Sequence, residues 1–106
     1  MFYIKQNDTS PALRAVLKDA DGVPVNVTGA SVLFYMRTAG ATETIVEGTA
    51  EVVDGTTGVV QYNWSTGDTA TAGNCEAEFE VTYATGKIET FPNSKYIKVK
   101  ITPELS

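Results

Sequence analysis

Residues 58–92 read GVVQYNWSTGDTATAGNCEAEFEVTYATGKIETFP, three runs of alternating residues, each closed by a glycine or a proline. Successive side chains leave a strand on opposite faces, so alternation with period two marks a strand covered on one side. The cleanest run is residues 75–83. Ala77, Phe79, Val81 and Tyr83 share its inward face, and Glu76, Glu78 and Glu80 share the outward one. Residues 59–64 place Val60, Tyr62 and Trp64 on a single face. Ala84-Thr85-Gly86 fits a three-residue hairpin with glycine in the left-handed position. Residues 87–91 then return, and Pro92 stops the strand.

The rest of the chain follows the same logic. Strands are expected at 2–6, 12–18 (Leu13, Ala15 and Leu17 inward), briefly at 25–27, and at 30–38. Another is expected over 43–53, as one strand or two broken at Gly48. The last is 96–102, with Ile97, Val99 and Ile101 inward and Lys98 and Lys100 outward. Asp19-Ala-Asp-Gly22 and Asp54-Gly-Thr-Thr-Gly58 are turns, because Asp bonds its own backbone and Gly tolerates positive φ. Residues 65–74 form the longest loop, with a helical turn or two at 66–71 as the only helix candidate. Pro11, Pro24, Pro92 and Pro103 all fall at strand boundaries, where a missing N–H costs least. Seven to nine short strands predict an all-β fold of two packed sheets, a β-sandwich. At 106 residues the chain is a single domain, 1–106, with enough length for a modest two-layer core.

Several function classes drop out. Net charge is −5, and the nearest thing to a basic stripe is Lys95, Lys98 and Lys100, so no nucleic acid is expected as a partner. No apolar run approaches the roughly 18 residues of a membrane span, so no membrane is expected either. The opening MFYIKQNDTS lacks a signal peptide's apolar stretch, and the lone Cys75 cannot pair within the chain. Both fit synthesis in a reducing cytosol. There is no histidine, which removes the usual general base and the Ser–His and Cys–His nucleophile systems. Glycoside hydrolysis needs two carboxylates at a cleft, whereas Glu76, Glu78 and Glu80 line the solvent face of a strand, with Lys98 and Lys100 placed to sit across from them. Asp19-Ala-Asp-Gly22 lacks the further ligands of a calcium loop, so no metal and no cofactor are expected. The Asn-x-Ser/Thr triplets at Asn7, Asn26 and Asn63 read as coincidence. Cys75 reads as a small buried hydrophobe. No enzyme is expected; the chemistry is that of a module that binds.

Two surfaces are candidates for binding. Residues 30–38, ASVLFYMRT, are apolar on both faces: Val32, Phe34 and Met36 on one, Leu33 and Tyr35 on the other. Such a strand is either covered twice or contacts a partner. Leu33 and Tyr35 are therefore the first docking candidates, followed by Phe2 and Tyr3 on the first strand and Thr66 and Asp68 in the long loop. Trp64, Tyr62, Tyr83 and Phe91 offer an alternative, a sugar-binding platform, although aromatics on alternating strands more often belong to a core.

Nearly the whole chain, from Phe2 to about Thr102, also resembles the amino-terminal domain of phage baseplate upper proteins. The resemblance begins with Gln6, Asp8, Thr9 and Pro11, then Asp19 and Gly22, then Pro24, Val25, Val27, Thr28, Gly29 and Ala30, and an apolar strand ending in Met36-Arg37. It continues through Thr57, Gly58, Val60, Tyr62 and Trp64, Gly67-Asp68-Thr69, and Ala72-Gly73. Glu78 to Tyr83 and Glu89 to Pro92 close it. Cys75 departs from the pattern, standing where an aromatic is expected. The resemblance implies an immunoglobulin-like sandwich in a virion tail. It implies a structural adaptor that docks other phage tail and baseplate proteins, as multiple copies in a symmetric assembly. The competing expectation is a carbohydrate-binding or adhesion module of the same fold.

Overall fold

The structure is a computed structural model and describes residues 1–105. It is all-β, with eight strands and no helix among the described residues. The strands are β1 (Phe2–Lys5), β2 (Leu13–Val16), β3 (Ser31–Thr38), β4 (Thr44–Asp54), β5 (Val59–Tyr62), β6 (Gly73–Thr82), β7 (Ile88–Phe91) and β8 (Ile97–Thr102). Their hydrogen-bonded order is β1-β8-β6-β3-β4-β5-β2, with β7 paired to the second half of β6. Among the described residues, only β1 and β8 run parallel.

One strand determines how the layers join. β4 is 11 residues long; its first part pairs with β3, and from Glu51 onward it pairs with β5. The register shifts between Val52 and Asp54, where the strand bends. The layers are thereby linked into one nearly closed, barrel-like sheet. At the closing gap, the Phe2 ring on β1 meets Trp64 just beyond β5, with centroids 6.1 Å apart. Gly48 does not break β4. A Cβ there would lie 2.8 Å from Cε1 of Tyr62, so glycine is what lets the strand pass beneath the Tyr62 ring.

The core follows the alternation. On β6, Cys75, Ala77, Phe79 and Val81 are buried, and on β3 so are Val32, Phe34 and Met36. Phe34 is the hub. Its ring stacks on Tyr62 (4.3 Å, 11°), stands edge-on to Trp64 (5.7 Å, 87°) and tilts against Phe79 (5.2 Å). Offset and edge contacts of this kind add about 0.5–1.5 kcal/mol each beyond burial of area. Trp64 also donates its indole N–H to the Pro11 carbonyl at 3.1 Å, so burying it leaves no polar atom unpaired.

Three local expectations need correction. Residues 25–27 form no strand. Pro24 makes a lone bridge with Lys18, and Val25 and Val27 donate their N–H groups to Leu17 and Gly55 across a turn. With Pro24 lacking an N–H and Gly29 at φ 77°, a ladder has no room to extend. Residues 66–71 form linked hydrogen-bonded turns rather than helix, because Gly67 sits at φ 94° in the middle of them. Tyr83 lies just past the end of β6 and is only half-buried. The hairpin at 84–86 is as expected, with Gly86 at φ 88° and the Tyr83 N–H bonded to the Lys87 carbonyl.

Candidate docking surface

β3 lies at the centre of the ladder, with β4 on one side and β6 on the other. Its inward residues fill the core, which leaves Leu33, Tyr35 and Arg37 facing outward. The register gives each its neighbours. Leu33 stands between Thr49 and Glu80, and Tyr35 between Glu47 and Glu78. Leu33 is 38% exposed and Tyr35 is half-buried. Tyr35 therefore sits in a frame of carboxylates. Partial burial, followed by the charges of Glu80, Glu47 and Glu78, raises its hydroxyl pKa above the ordinary value.

Arg37 closes one end of this face. Its guanidinium bonds Glu76 at 3.0 Å and lies over the Tyr96 ring, 4.7 Å from the centroid. Between Tyr35, Arg37, Glu76, Glu78 and Tyr96 lies a shallow cleft of about 190 Å³. That is smaller than the roughly 300–1,000 Å³ of ordinary small-molecule sites. The three outward glutamates of β6 are half-buried rather than free in solvent. Lys98 stands opposite Glu76 in the β6–β8 register, but Lys100 stands opposite Asn74, so only one of the two expected cross-strand partners faces the glutamate row.

The other candidate residues lie elsewhere. Phe2 is half-buried against Trp64. Tyr3 is 61% exposed and pairs in register with Lys100, on the far edge of the same layer as Leu33 and Tyr35. Thr66 is exposed in the long loop. The Asp68 carboxylate works inside the fold, accepting the Tyr62 O–H at 2.6 Å and the Ser65 N–H at 2.8 Å. Burial and that contact push the Tyr62 pKa up to about 12. Thr69, which sequence reasoning did not single out as functional, is buried and latches the loop to the turn after β1. Its hydroxyl donates to the Asp8 carbonyl at 2.8 Å, and the Asn7 N–H donates to the Thr69 carbonyl. Arg37 was also missed, although it continues the outward phase of Leu33 and Tyr35 on β3; Glu47 joins the face only through strand register and Tyr96 only through its contact with Arg37.

The remaining chemistry is accounted for locally. Asp19 accepts the N–H groups of Asp21 and Val23, and Asp54 accepts the Thr56 hydroxyl. Hydrogen bonds from Thr56 and Thr57 hold the Asp54 carboxyl below its usual range. No group of three or more His, Cys, Asp or Glu side chains is placed to hold a metal ion among the described residues. Cys75 is buried, and burial pushes its thiol pKa up. Tyr62, Trp64 and Phe91 are buried in the core, and the half-buried Tyr83 donates its hydroxyl to Glu89 at 2.7 Å. These four do not form an exposed platform.

A family model described as the BppU N-terminal domain matches residues 2–102. No curated protein matches the chain. Among solved structures, the crystal structure of CopC from Methylosinus trichosporium OB3b is similar over 99% of this chain and 86% of that chain, with a TM-score of 0.54 and 14% identity. At that identity the likeness is one of fold alone.

Proposed function

Since the chain belongs to the BppU N-terminal domain family, that of phage baseplate upper proteins, we propose that it acts in the baseplate as a small non-catalytic adaptor. It docks other tail and baseplate proteins, is present in several copies in a symmetric assembly, and resides in the virion tail after synthesis in the host cytoplasm. The observation that carries the docking role is the outward pair Leu33 and Tyr35 at the centre of the widest layer. An apolar pair left partly open on a sheet face is the kind of surface a partner buries. A histidine-free sequence supports a binding role over a reaction. We also read the layers as an immunoglobulin-like sandwich whose two sheets are joined through β4. The sugar-binding alternative draws on Tyr62, Trp64, Tyr83 and Phe91, and it loses support because three of these are in the core.

Leu33→Glu and Tyr35→Glu test the docking role. Both add a charge on the outward side, so each isolated variant is expected to keep the wild-type circular dichroism spectrum. Incorporation into particles is expected to fail for both. Normal incorporation of both folded variants would show that this face is not the contact.

A further inference from the structure

The outward side of the layer β4-β3-β6-β8-β1 is divided by charge. On the β4, β3 and β6 half, Glu47, Glu78 and Glu80 surround Leu33 and Tyr35. On the β8 and β1 half, Lys98, Lys100 and Lys5 accompany the exposed Tyr3. The single salt bridge among the described residues, Arg37–Glu76, lies at the seam, where Glu76 faces Lys98 across the ladder. The three outer carboxylates and three outer ammonium groups have no ionic partner among the described residues.

We infer that this face is the interface of a two-fold dimer of the chain. The acidic group also lies further along the strands than the basic one, since Lys98 is level with Glu76 and Lys100 and Tyr3 with Asn74, so a two-fold axis in the plane of contact, running obliquely across the strands between the two groups, lays the acidic half of one copy over the basic half of the other, and the reverse. The three carboxylates of each copy then meet the three lysines of its mate, and Leu33 and Tyr35 approach Tyr3 of the other copy. This is the self-complementary patch that an isologous contact requires. A purely basic partner would leave the lysines facing like charge, and a purely acidic one would do the same to the glutamates. A second copy is the occupant whose charge pattern matches both halves. A stable dimer needs roughly 800 Å² per partner, about an eighth of the 6252 Å² surface. The inference rests on the multi-copy reading above and names what each copy meets.

The test is sedimentation of the purified full chain. The wild type is expected to form a dimer that weakens on the order of tenfold or more between about 0.05 and 0.5 M salt, because exposed charges are screened. K98E/K100E makes both halves acidic and E78K/E80K makes both basic, so each is expected to be monomeric with an unchanged circular dichroism spectrum. Mixed in equal amounts, the two variants are expected to form a one-to-one heterodimer. If either pair fails to fold, K5E/K98E and E47K/E78K make the same test. A monomeric wild type, variants that still self-associate, or a mixture that does not pair would each overturn the inference. Incorporation into particles is measured separately, so a monomeric chain found in particles sinks the dimer and leaves the adaptor reading standing.

Discussion

Replacing Phe79 or Trp64 by alanine is expected to lower the free energy of unfolding by about 3–5 kcal/mol. A domain of this kind has ~5–15 kcal/mol in total, so either change removes a large share of its stability. Phe79 is fully buried and packs against Phe34, and Trp64 joins the same cluster with Phe34 and Tyr62. Trp64→Ala also strips the Pro11 carbonyl of its indole donor. Trp64→Phe separates the two effects, since it keeps much of the ring but loses the hydrogen bond, at a net cost of roughly 1 kcal/mol for the bond itself. Chemical denaturation with fluorescence and circular dichroism gives the values. Native Trp64 emission is expected to be blue-shifted. An exposed spectrum, together with alanine variants as stable as wild type, would mean that the inward phase of these strands has been misassigned.

Gly58→Ala is expected to be comparably damaging for a different reason. Gly58 has φ 70°, and a Cβ there would lie 2.6 Å from the Val25 carbonyl oxygen and 2.9 Å from that of Leu17. Both neighbours are backbone, so neither can swing aside. Left-handed strain of about 1–3 kcal/mol adds to overpacking of about 1–3 kcal/mol. The Gly58 carbonyl also accepts the Leu17 N–H, and Leu17 in turn accepts from Val25, so displacement would disturb the end of β2 and the turn beside it. Gly67→Ala is the control. Its φ is 94°, but nothing lies within 4 Å of its Cβ position, so only the strain remains. Equal melting temperatures for the two variants would contradict the steric account.

The parts of the fold that were legible in the sequence are those set by local alternation. β6 announces itself because one face is fully covered and the other carries three glutamates. β3 was legible as a strand, and its apolar outer pair as a face either covered twice or open to a partner. What local pattern does not carry is which strand lies beside which. Closure of the sheet depends on β4 pairing with β3 and β5 in turn. Gly48 looked like a possible break, but it is a clearance for Tyr62, a residue 14 positions away in the chain. The same limit applies to the candidate docking face. Glu47, Tyr35, Glu78, Lys98 and Tyr3 come from five strands, and only the order β4-β3-β6-β8-β1 makes them one surface. Asp68 read as a docking candidate in the long loop because nothing in the local pattern shows that the Tyr62 hydroxyl would bond to it.

The adaptor role is tested most directly by an inventory of purified phage particles by mass spectrometry, with lysine-reactive cross-linking before digestion. The account predicts that the chain is present at a fixed ratio to other tail proteins. It also predicts cross-links from Lys5, Lys98 or Lys100 to neighbouring virion chains, including other copies of itself. Absence of the native chain from intact, infectious particles would contradict it.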